Sequence, residues 1–283
     1  MYDVAIIGTG PAGVSAALTL RANGKKVIWF GSRSLSHKIR KAETILNYPG
    51  LSAVSGEDMK DSFLRQIDAL GIEITEKTVT GVYTMGRYFG ILCNTESFEA
   101  KAVIVATGVS GVKPIAGELE LLGRGVSYCA TCDGMLYRQK TIAVVSTSAE
   151  YEHEVSFLAS LASKVYLIPL YQGVGVTADN ICRVQGMPRA VQGERRAEHL
   201  LFDDKTLDVD GVFFLKSAIS PTALVAGLEE REGHVVVDRE GRTNLTGCFA
   251  AGDCTGRPYQ YAKAVGEGNV AAHAAIRYLA EKE

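Results

Sequence analysis

Apolar residues in this chain come in short unbroken runs separated by stretches with helical spacing. Residues 3–7, with the run Val4-Ala5-Ile6-Ile7, read as a buried strand, and residues 12–22, rich in Ala and Leu, read as a helix. Lys26-Val27-Ile28-Trp29-Phe30 reads as a second strand. Strand, helix and strand at this length form a βαβ unit, the repeating element of a parallel doubly wound sheet. Residues 56–70 have an amphipathic pattern ended by Gly71, which predicts another helix. Alternating strands follow to about residue 97, and Ala102-Val103-Ile104-Val105-Ala106 is again of buried-strand type.

The pattern then repeats. Thr141-Ile142-Ala143-Val144-Val145 begins a second βαβ-like unit, with a helix over about 149–162 and a strand at Lys164-Val165-Tyr166-Leu167-Ile168. From Cys248 the sequence returns to Gly-rich packing and closes with a helix over about 266–281. The expected fold is α/β: two Rossmann-like, three-layer domains of the dinucleotide-binding type, the second inserted into the first. The expected boundaries are 1–110 with 242–283 for the first domain and 111–241 for the second. A length of 283 residues suits two domains.

Composition narrows the partners. Apolar residues make up 47% and charged residues 22%, ordinary for a globular chain with a sizeable core. A net charge of -2 and a pI near 6.2 argue against nucleic acid, which wants a basic excess. No apolar run reaches the roughly 18 residues of a membrane helix. Met1-Tyr2-Asp3 leads straight into a strand rather than a signal peptide, so the expected location is the cytoplasm, away from membranes. Of six cysteines only Cys129 and Cys132 are close together; Cys93, Cys182, Cys248 and Cys254 are scattered, unlike a secreted disulfide framework.

Gly8-Thr9-Gly10-Pro11-Ala12-Gly13 fits G-x-G-x-x-G between a strand and a helix. The first Gly permits a tight turn and the second lets backbone approach a pyrophosphate. The third lets helix pack on strand, and the helix N-terminus offers N–H groups and its dipole to the phosphates. An acid that would hold a ribose is expected about 20 residues on. The sequence instead reads Phe30-Gly31-Ser32-Arg33, which argues against an ordinary NAD site and leaves FAD open. Ala106-Thr107-Gly108 closes the strand before it, and Gly252-Asp253 lies near the chain's other end. In a flavoprotein the Asp of such a pair can hydrogen-bond the ribityl chain, while its Gly permits close backbone approach.

Cys129-Ala130-Thr131-Cys132-Asp133 is the candidate chemical centre. Two cysteines at this spacing can cycle between disulfide and dithiol, with one thiol made more acidic. Zinc is the competing use of a C-x-x-C pair, but no second pair or H-x-x-x-H supplies the other ligands, and His153 and His199 are isolated. No metal is expected. Asp133 reads either as a proton donor and acceptor for the thiols or as a cap for the next element.

With these segments in this order, the chain resembles the low-molecular-weight thioredoxin reductase family over essentially its whole length. The matching stretches are Gly8–Gly13, Asn47-Tyr48-Pro49-Gly50, Ala106-Thr107-Gly108, Gly123-Arg124-Gly125-Val126, Cys129–Asp133, Phe249–Asp253 and Tyr259-Gln260-Tyr261-Ala262. The resemblance implies FAD, a homodimer, and a thioredoxin as disulfide substrate. It implies that Cys132 faces the flavin, that Cys129 attacks the partner disulfide, and that Asp133 is the acid/base. It also implies cofactor contacts at Gly8, Gly10, Pro11, Ala12, Gly13, Gly31, Ser32, Val79, Ala106, Thr107, Gly108, Gly252 and Asp253. Asn47, Gln260, Tyr261 and Ala262 would frame the flavin ring.

One departure from that family is informative. Where NADPH-dependent members carry a Gly-rich loop, this chain has Val145-Ser146-Thr147-Ser148-Ala149-Glu150-Tyr151, and Pro169-Leu170-Tyr171 replaces the basic cluster for a 2′-phosphate. In this the chain is similar to ferredoxin-dependent flavin thioredoxin reductases, which implies reduced ferredoxin as electron donor. An acidic ferredoxin would want a basic face. Arg33, Lys38, Arg40 and Lys41 form one such cluster, and Arg183, Arg189, Arg195 and Arg196 another. Three alternatives remain. They are a diflavin-linked disulfide oxidoreductase with a second FAD against Tyr171 or Tyr151, an NADPH-dependent thioredoxin reductase, and a non-enzymatic flavin redox sensor.

Overall fold

A computed structural model describes residues 1–283 except 37, 38, 40, 41, 94, 95, 110–113, 217–219 and 283, together with the side chain of residue 132. The chain forms two compact units, Met1–Val109 with Ser220–Glu283, and Ser110–Ile219.

The first unit begins with β1 (Tyr2–Ile7), α1 (Pro11–Ala22) and β2 (Val27–Phe30), the expected βαβ. β1 pairs in parallel with β2, Val4 opposite Val27 through Ile7 opposite Phe30. Helix α2 (Gly56–Ala69) follows, capped by Ser55, whose hydroxyl accepts the Asp58 N–H at 3.1 Å. Then come β3 (Gly81–Thr84), β4 (Phe89–Cys93) and β5 (Glu96–Val105). β5 is longer than the apolar run at 102–106 because its two halves have different neighbours. Its first half pairs antiparallel with β4 and carries exposed side chains; its second half pairs parallel with β1 and is buried apart from Lys101.

The inserted unit carries a five-stranded sheet. Its elements are β6 (Val126–Ser127), the short helix α3 (Ala130–Asp133), β7 (Thr141–Ser146), α4 (Glu152–Leu161), β8 (Lys164–Pro169), β9 (Ile181–Arg183) and β10 (Gly211–Leu215). The order is β6-β10-β7-β8-β9, all parallel. A helix was expected over about 149–162. The structure instead has a 3₁₀ turn at Ala149–Tyr151 and then α4, because the Ser148 hydroxyl takes the Glu150 N–H and tightens the first turn.

The chain re-enters the first unit at Ser220, earlier than the expected boundary at 242. Residues 220–241 attach there: the Ala226 N–H donates to Val82 O, Val225 is fully buried, and Asn244 donates to Gly227 O at 2.8 Å. The unit is completed by β11 (Cys248–Ala250), which pairs parallel with the end of β5, and by α5 (Tyr261–Ala280). That helix begins before the expected 266. Gly266 and Gly268 inside it each cost about 1 kcal/mol against Ala. Packing overrides them: a Cβ on Gly268 would lie 2.1 Å from Ala12 O, so the glycine is what lets α5 cross against α1. Among the described residues no helix is long and apolar enough to cross a membrane.

Candidate functional site

The first cradle forms where β1 ends between β2 and β5, the point at which a doubly wound sheet opens a crevice. Gly8 has φ +113, and a Cβ there would sit 2.3 Å from Ala106 O. A Cβ on Gly13 would sit 2.0 Å from Gly8 O, so the first and third glycines bind strand, helix and β5 together. The Trp29 indole donates to Gly8 O at 2.8 Å and fixes the turn; no motif announced that residue. Gly10 is different, because a Cβ there would meet nothing nearer than Ser36 Cβ at 4.0 Å. Gly10 caps α1 without any side-chain hydrogen bond, Pro11 and Ala12 follow, and the first turn holds no acid. Its N–H groups and dipole are left to an anion.

Distant segments converge on the same turn. A Cβ on Gly252, φ +89, would sit 2.9 Å from Ala12 Cβ, which sets Gly252-Asp253 against the start of α1. Lys263 clamps this segment, donating to Gly252 O at 3.1 Å, Gly256 O at 2.9 Å and Glu267 at 3.0 Å. Asp253 helps hold the Tyr261 phenol above its ordinary pKa, second to burial. Asn47 donates to the Gln260 side chain at 2.7 Å across 213 residues of chain. Gln260 is the N-cap of α5, and Tyr261 and Ala262 open that helix rather than lie in a loop. Gly108 has φ +68, and Val79 is buried.

An acid does stand at the end of β2, Glu76, brought there from later in the chain. Its carboxylate accepts the Arg33 N–H at 2.7 Å beside Ser32, at the end of β2. Its only signal is Thr75, which bridges Phe30 and places residue 76 at the strand tip. Gly31 is required there too, since a Cβ would lie 2.5 Å from Thr9 Cγ2.

These residues fit a dinucleotide. The space over Gly10 is open, and Thr107 Oγ1, at the end of β5, is the one buried side-chain polar atom among the described residues without a hydrogen-bond partner. Such orphaned groups call for a ligand or water.

In the inserted unit Cys129 is disulfide-bonded and stands just before α3. The side chain of Cys132 lies outside the described residues. Ser127 accepts the Cys129 N–H at 3.0 Å and donates to Asp133 Oδ2 at 2.6 Å. Asp133 makes no side-chain cap to the 3₁₀ turn Gly134–Tyr137, so of its two readings the capping one fails. The Glu154 carboxylate on α4 accepts the Ala130 N–H, and burial raises its pKa above the ordinary carboxyl range. Tyr128, the residue before Cys129, donates to buried Glu118 at 2.5 Å, and Glu118 also pairs with buried Lys216. Met135 and Leu136, just after the cysteine pair, are 56% and 67% exposed.

The second Rossmann turn is closed on itself. Ser146 donates to Ser148 O at 3.1 Å and Thr147 Oγ1 to Leu215 O at 3.3 Å. Glu152 accepts the Tyr171 hydroxyl at 2.9 Å and the Gly175 N–H at 2.8 Å. Tyr151 is half-buried, its phenol pushed up to about 12 by burial. In the basic clusters, one guanidinium nitrogen of Arg33 reaches both carboxylate oxygens of Asp68 and Arg189 is bidentate on Asp203, while Arg183 donates to Val174 O and Val176 O. Those arginines are already paired; Lys38, Arg40 and Lys41 lie outside the described residues.

The chain matches the family model described as pyridine nucleotide-disulphide oxidoreductase over residues 2–169 and 172–268. It is 33% identical to a thioredoxin reductase of Treponema pallidum, over 98% of this chain and 97% of that one. It is similar to the crystal structure of a ferredoxin-flavin thioredoxin reductase from Clostridium acetobutylicum, with TM-score 0.90 and 44% identity over 99% of this chain and 98% of that one. A thioredoxin reductase from Gloeobacter violaceus aligns with TM-score 0.78 and 28% identity over 100% of this chain and 95% of that one.

Proposed function

We infer the activity from one premise: the chain belongs to the pyridine nucleotide-disulphide oxidoreductase family, and is an oxidoreductase. In our reading it is a flavoprotein thioredoxin reductase that takes electrons from reduced ferredoxin through FAD and Cys129–Cys132 to a thioredoxin, working as a homodimer. The observation that carries this reading is the disulfide-bonded Cys129 with Asp133 hydrogen-bonded through Ser127 to the same turn.

The residues divide the work. Gly8, Gly10, Pro11, Ala12 and Gly13 would hold the pyrophosphate by backbone and helix dipole. Gly31 and Ser32, with Glu76 and Val79, would line the adenosine end. Ala106, Thr107, Gly108, Gly252 and Asp253 would take the ribityl chain, and Asn47, Gln260, Tyr261 and Ala262 the ring edge. When bound, the flavin supplies the junction between single-electron donation and two-electron disulfide reduction. Cys132 is the sulfur assigned to the flavin side and Cys129 the one assigned to the partner. Cys129 forms a bond to one partner sulfur as the partner's disulfide breaks; Cys132 then displaces it, and the partner leaves with two thiols and two protons. Asp133 moves those protons. Met135 and Leu136 offer apolar surface beside the pair for a protein substrate.

Ferredoxin rather than NADPH is supported by the closed second turn. Ser146 donates to Ser148 O and Thr147 to Leu215 O at the end of β10, and Tyr171, which stands where a cation for the 2′-phosphate would be expected, donates to Glu152. The name of the Clostridium acetobutylicum relative agrees. The deciding experiment is anaerobic turnover with a bacterial thioredoxin, comparing reduced ferredoxin with NADPH. Thiol release with ferredoxin alone is expected; flavin bleaching at micromolar NADPH would overturn the donor assignment. A flavin-to-protein ratio near one is expected, and a ratio near two would favour the diflavin alternative.

A further inference from the structure

Ser127 belongs to no motif that the sequence singled out, yet it is the point where the Cys129 backbone and the Asp133 carboxylate meet. It is 2% exposed and ends β6, whose two residues pair with Val212 and Phe213 of β10, so the sheet fixes its position. Its hydroxyl accepts the Cys129 N–H at 3.0 Å. Two acceptors compete for its single proton, Asp133 Oδ2 at 2.6 Å and Cys129 O at 3.2 Å. The shorter contact, to a carboxylate, takes it.

A carboxylate on a four-residue helical turn has rotamer freedom to lose, and Asp133 is not held by capping the turn that follows. We propose that Ser127 is the positioning residue of Asp133, holding that carboxyl where it can hand a proton to the sulfur leaving a partner disulfide. This rests on the reading of Asp133 as acid/base. The step balances. Cys129 thiolate bonds to one partner sulfur, the partner S–S bond breaks, and the leaving sulfur takes the Asp133 proton. Cys132 then gives its proton to Asp133 and bonds to Cys129. The second partner sulfur leaves and takes that proton in turn. Other titratable groups face the same turn: Tyr137 from the turn Gly134–Tyr137, with Asp210 and Arg196 acting on it, and Glu154 from α4, with His153 beside it. None of these donates to Asp133 among the hydrogen bonds of the described residues.

Leaving-group chemistry separates proton delivery from mere support. An aliphatic disulfide such as bis(2-hydroxyethyl) disulfide releases a basic thiolate that needs a proton; the aromatic disulfide of Ellman's reagent releases a thiolate stable without one. Chemically reduced holoenzyme is mixed with each in a single turnover. Read at the first thiolate released, before Cys132 must give its proton to Asp133, Ser127→Ala is expected to slow the aliphatic reaction about tenfold or more while leaving the aromatic one within about twofold. Ser127→Thr, which keeps the hydroxyl, restores the aliphatic rate, and Ser127→Ala adds nothing to Asp133→Asn. Equal slowing of both reactions, or of neither, overturns the proposal. If Ser127→Ala does not fold, Asp133→Glu reads the same question, since it moves the carboxyl out of the Ser127 hydrogen bond; an unchanged rate ratio there overturns it too. If Asp133→Asn leaves the aliphatic rate intact, it is the acid/base reading that fails. A parent enzyme inert to both disulfides would sink the exchange role itself.

Discussion

Single polar atoms carry the chemistry here, and two of them give sharp expectations. Thr107 Oγ1 is buried and unpartnered, so in the protein without cofactor Thr107→Val should leave stability unchanged or higher. In flavin binding the same substitution should cost about 0.5–1.5 kcal/mol, up to roughly tenfold in affinity, if the hydroxyl awaits a cofactor oxygen. Fluorescence titration of apoprotein checks this; unchanged affinity would remove Thr107 from the site. Glu154 has its pKa raised, by burial first, with the neighbouring His153 and the Ala130 N–H opposing. A carboxyl whose folded pKa lies above its unfolded value contributes most below the unfolded pKa, and that contribution is lost as pH rises through the folded value. Glu154→Gln keeps an acceptor for the Ala130 N–H and has no such loss. Its stability relative to the parent should therefore grow as pH rises from the ordinary carboxyl range through the raised pKa, measured by urea unfolding at each pH. A constant difference would show that the carboxyl is not perturbed.

At the level of elements, the turn from β1 into α1 does two jobs with different glycines. Gly13→Ala would place a Cβ 2.0 Å from Gly8 O, a backbone atom that cannot swing aside. It should destabilise the first unit by about 1–3 kcal/mol with or without cofactor. Gly10→Ala has room and an extended backbone at φ -75, so the fold should hold while flavin affinity falls. Thermal melts of apoprotein paired with flavin titration separate the two; equal effects would mean that the turn is structural throughout. The inserted unit has the same strand–turn–helix frame, but its turn hydroxyls are already engaged by backbone: Ser146 with Ser148 O, Thr147 with Leu215 O of β10, and Ser148 with the Glu150 N–H. One architecture thus appears twice, once open to a ligand and once filled by its own side chains.

The whole molecule consists of two units with separate cores, each stabilised by its own means. The first rests on the α1–α5 contact and on the segments gathered at its cradle. The second packs both faces of its sheet and contains the buried Glu118–Lys216 pair, with Tyr128 also donating to Glu118. Lys216→Met leaves Glu118 as an unpaired buried charge and should cost about 3–5 kcal/mol. Bound flavin at about 100 times its Kd should add about 2.7 kcal/mol to whatever binds it. Calorimetry should therefore show two responses: flavin raises the unfolding temperature of the first unit, and Lys216→Met lowers that of the inserted one. A shift of both together in each experiment would show that the units unfold as one.

Much of this molecule was determined locally and could be read directly. Val4–Ile7 and Thr141–Val145 are apolar enough to be only buried strands, and each is followed by a helix at the spacing of a βαβ unit. The glycines of the first turn and the pair Cys129/Cys132 announce their chemistry because backbone approach and thiol exchange tolerate few substitutes. What depends on distant parts of the chain was not legible. That Gly268 is what lets α5 approach α1 shows only once Ala12 O is seen beside it; Glu76 reaches the tip of β2 only because Thr75 pairs with Phe30; Asn47 meets Gln260 across the unit. Ser127 is the same case at the dithiol, a serine of no motif whose hydroxyl matters because β10 holds it at 2.6 Å from Asp133. Local sequence sets conformation through sterics and burial, whereas a hydrogen bond between remote side chains exists only once packing has fixed both ends.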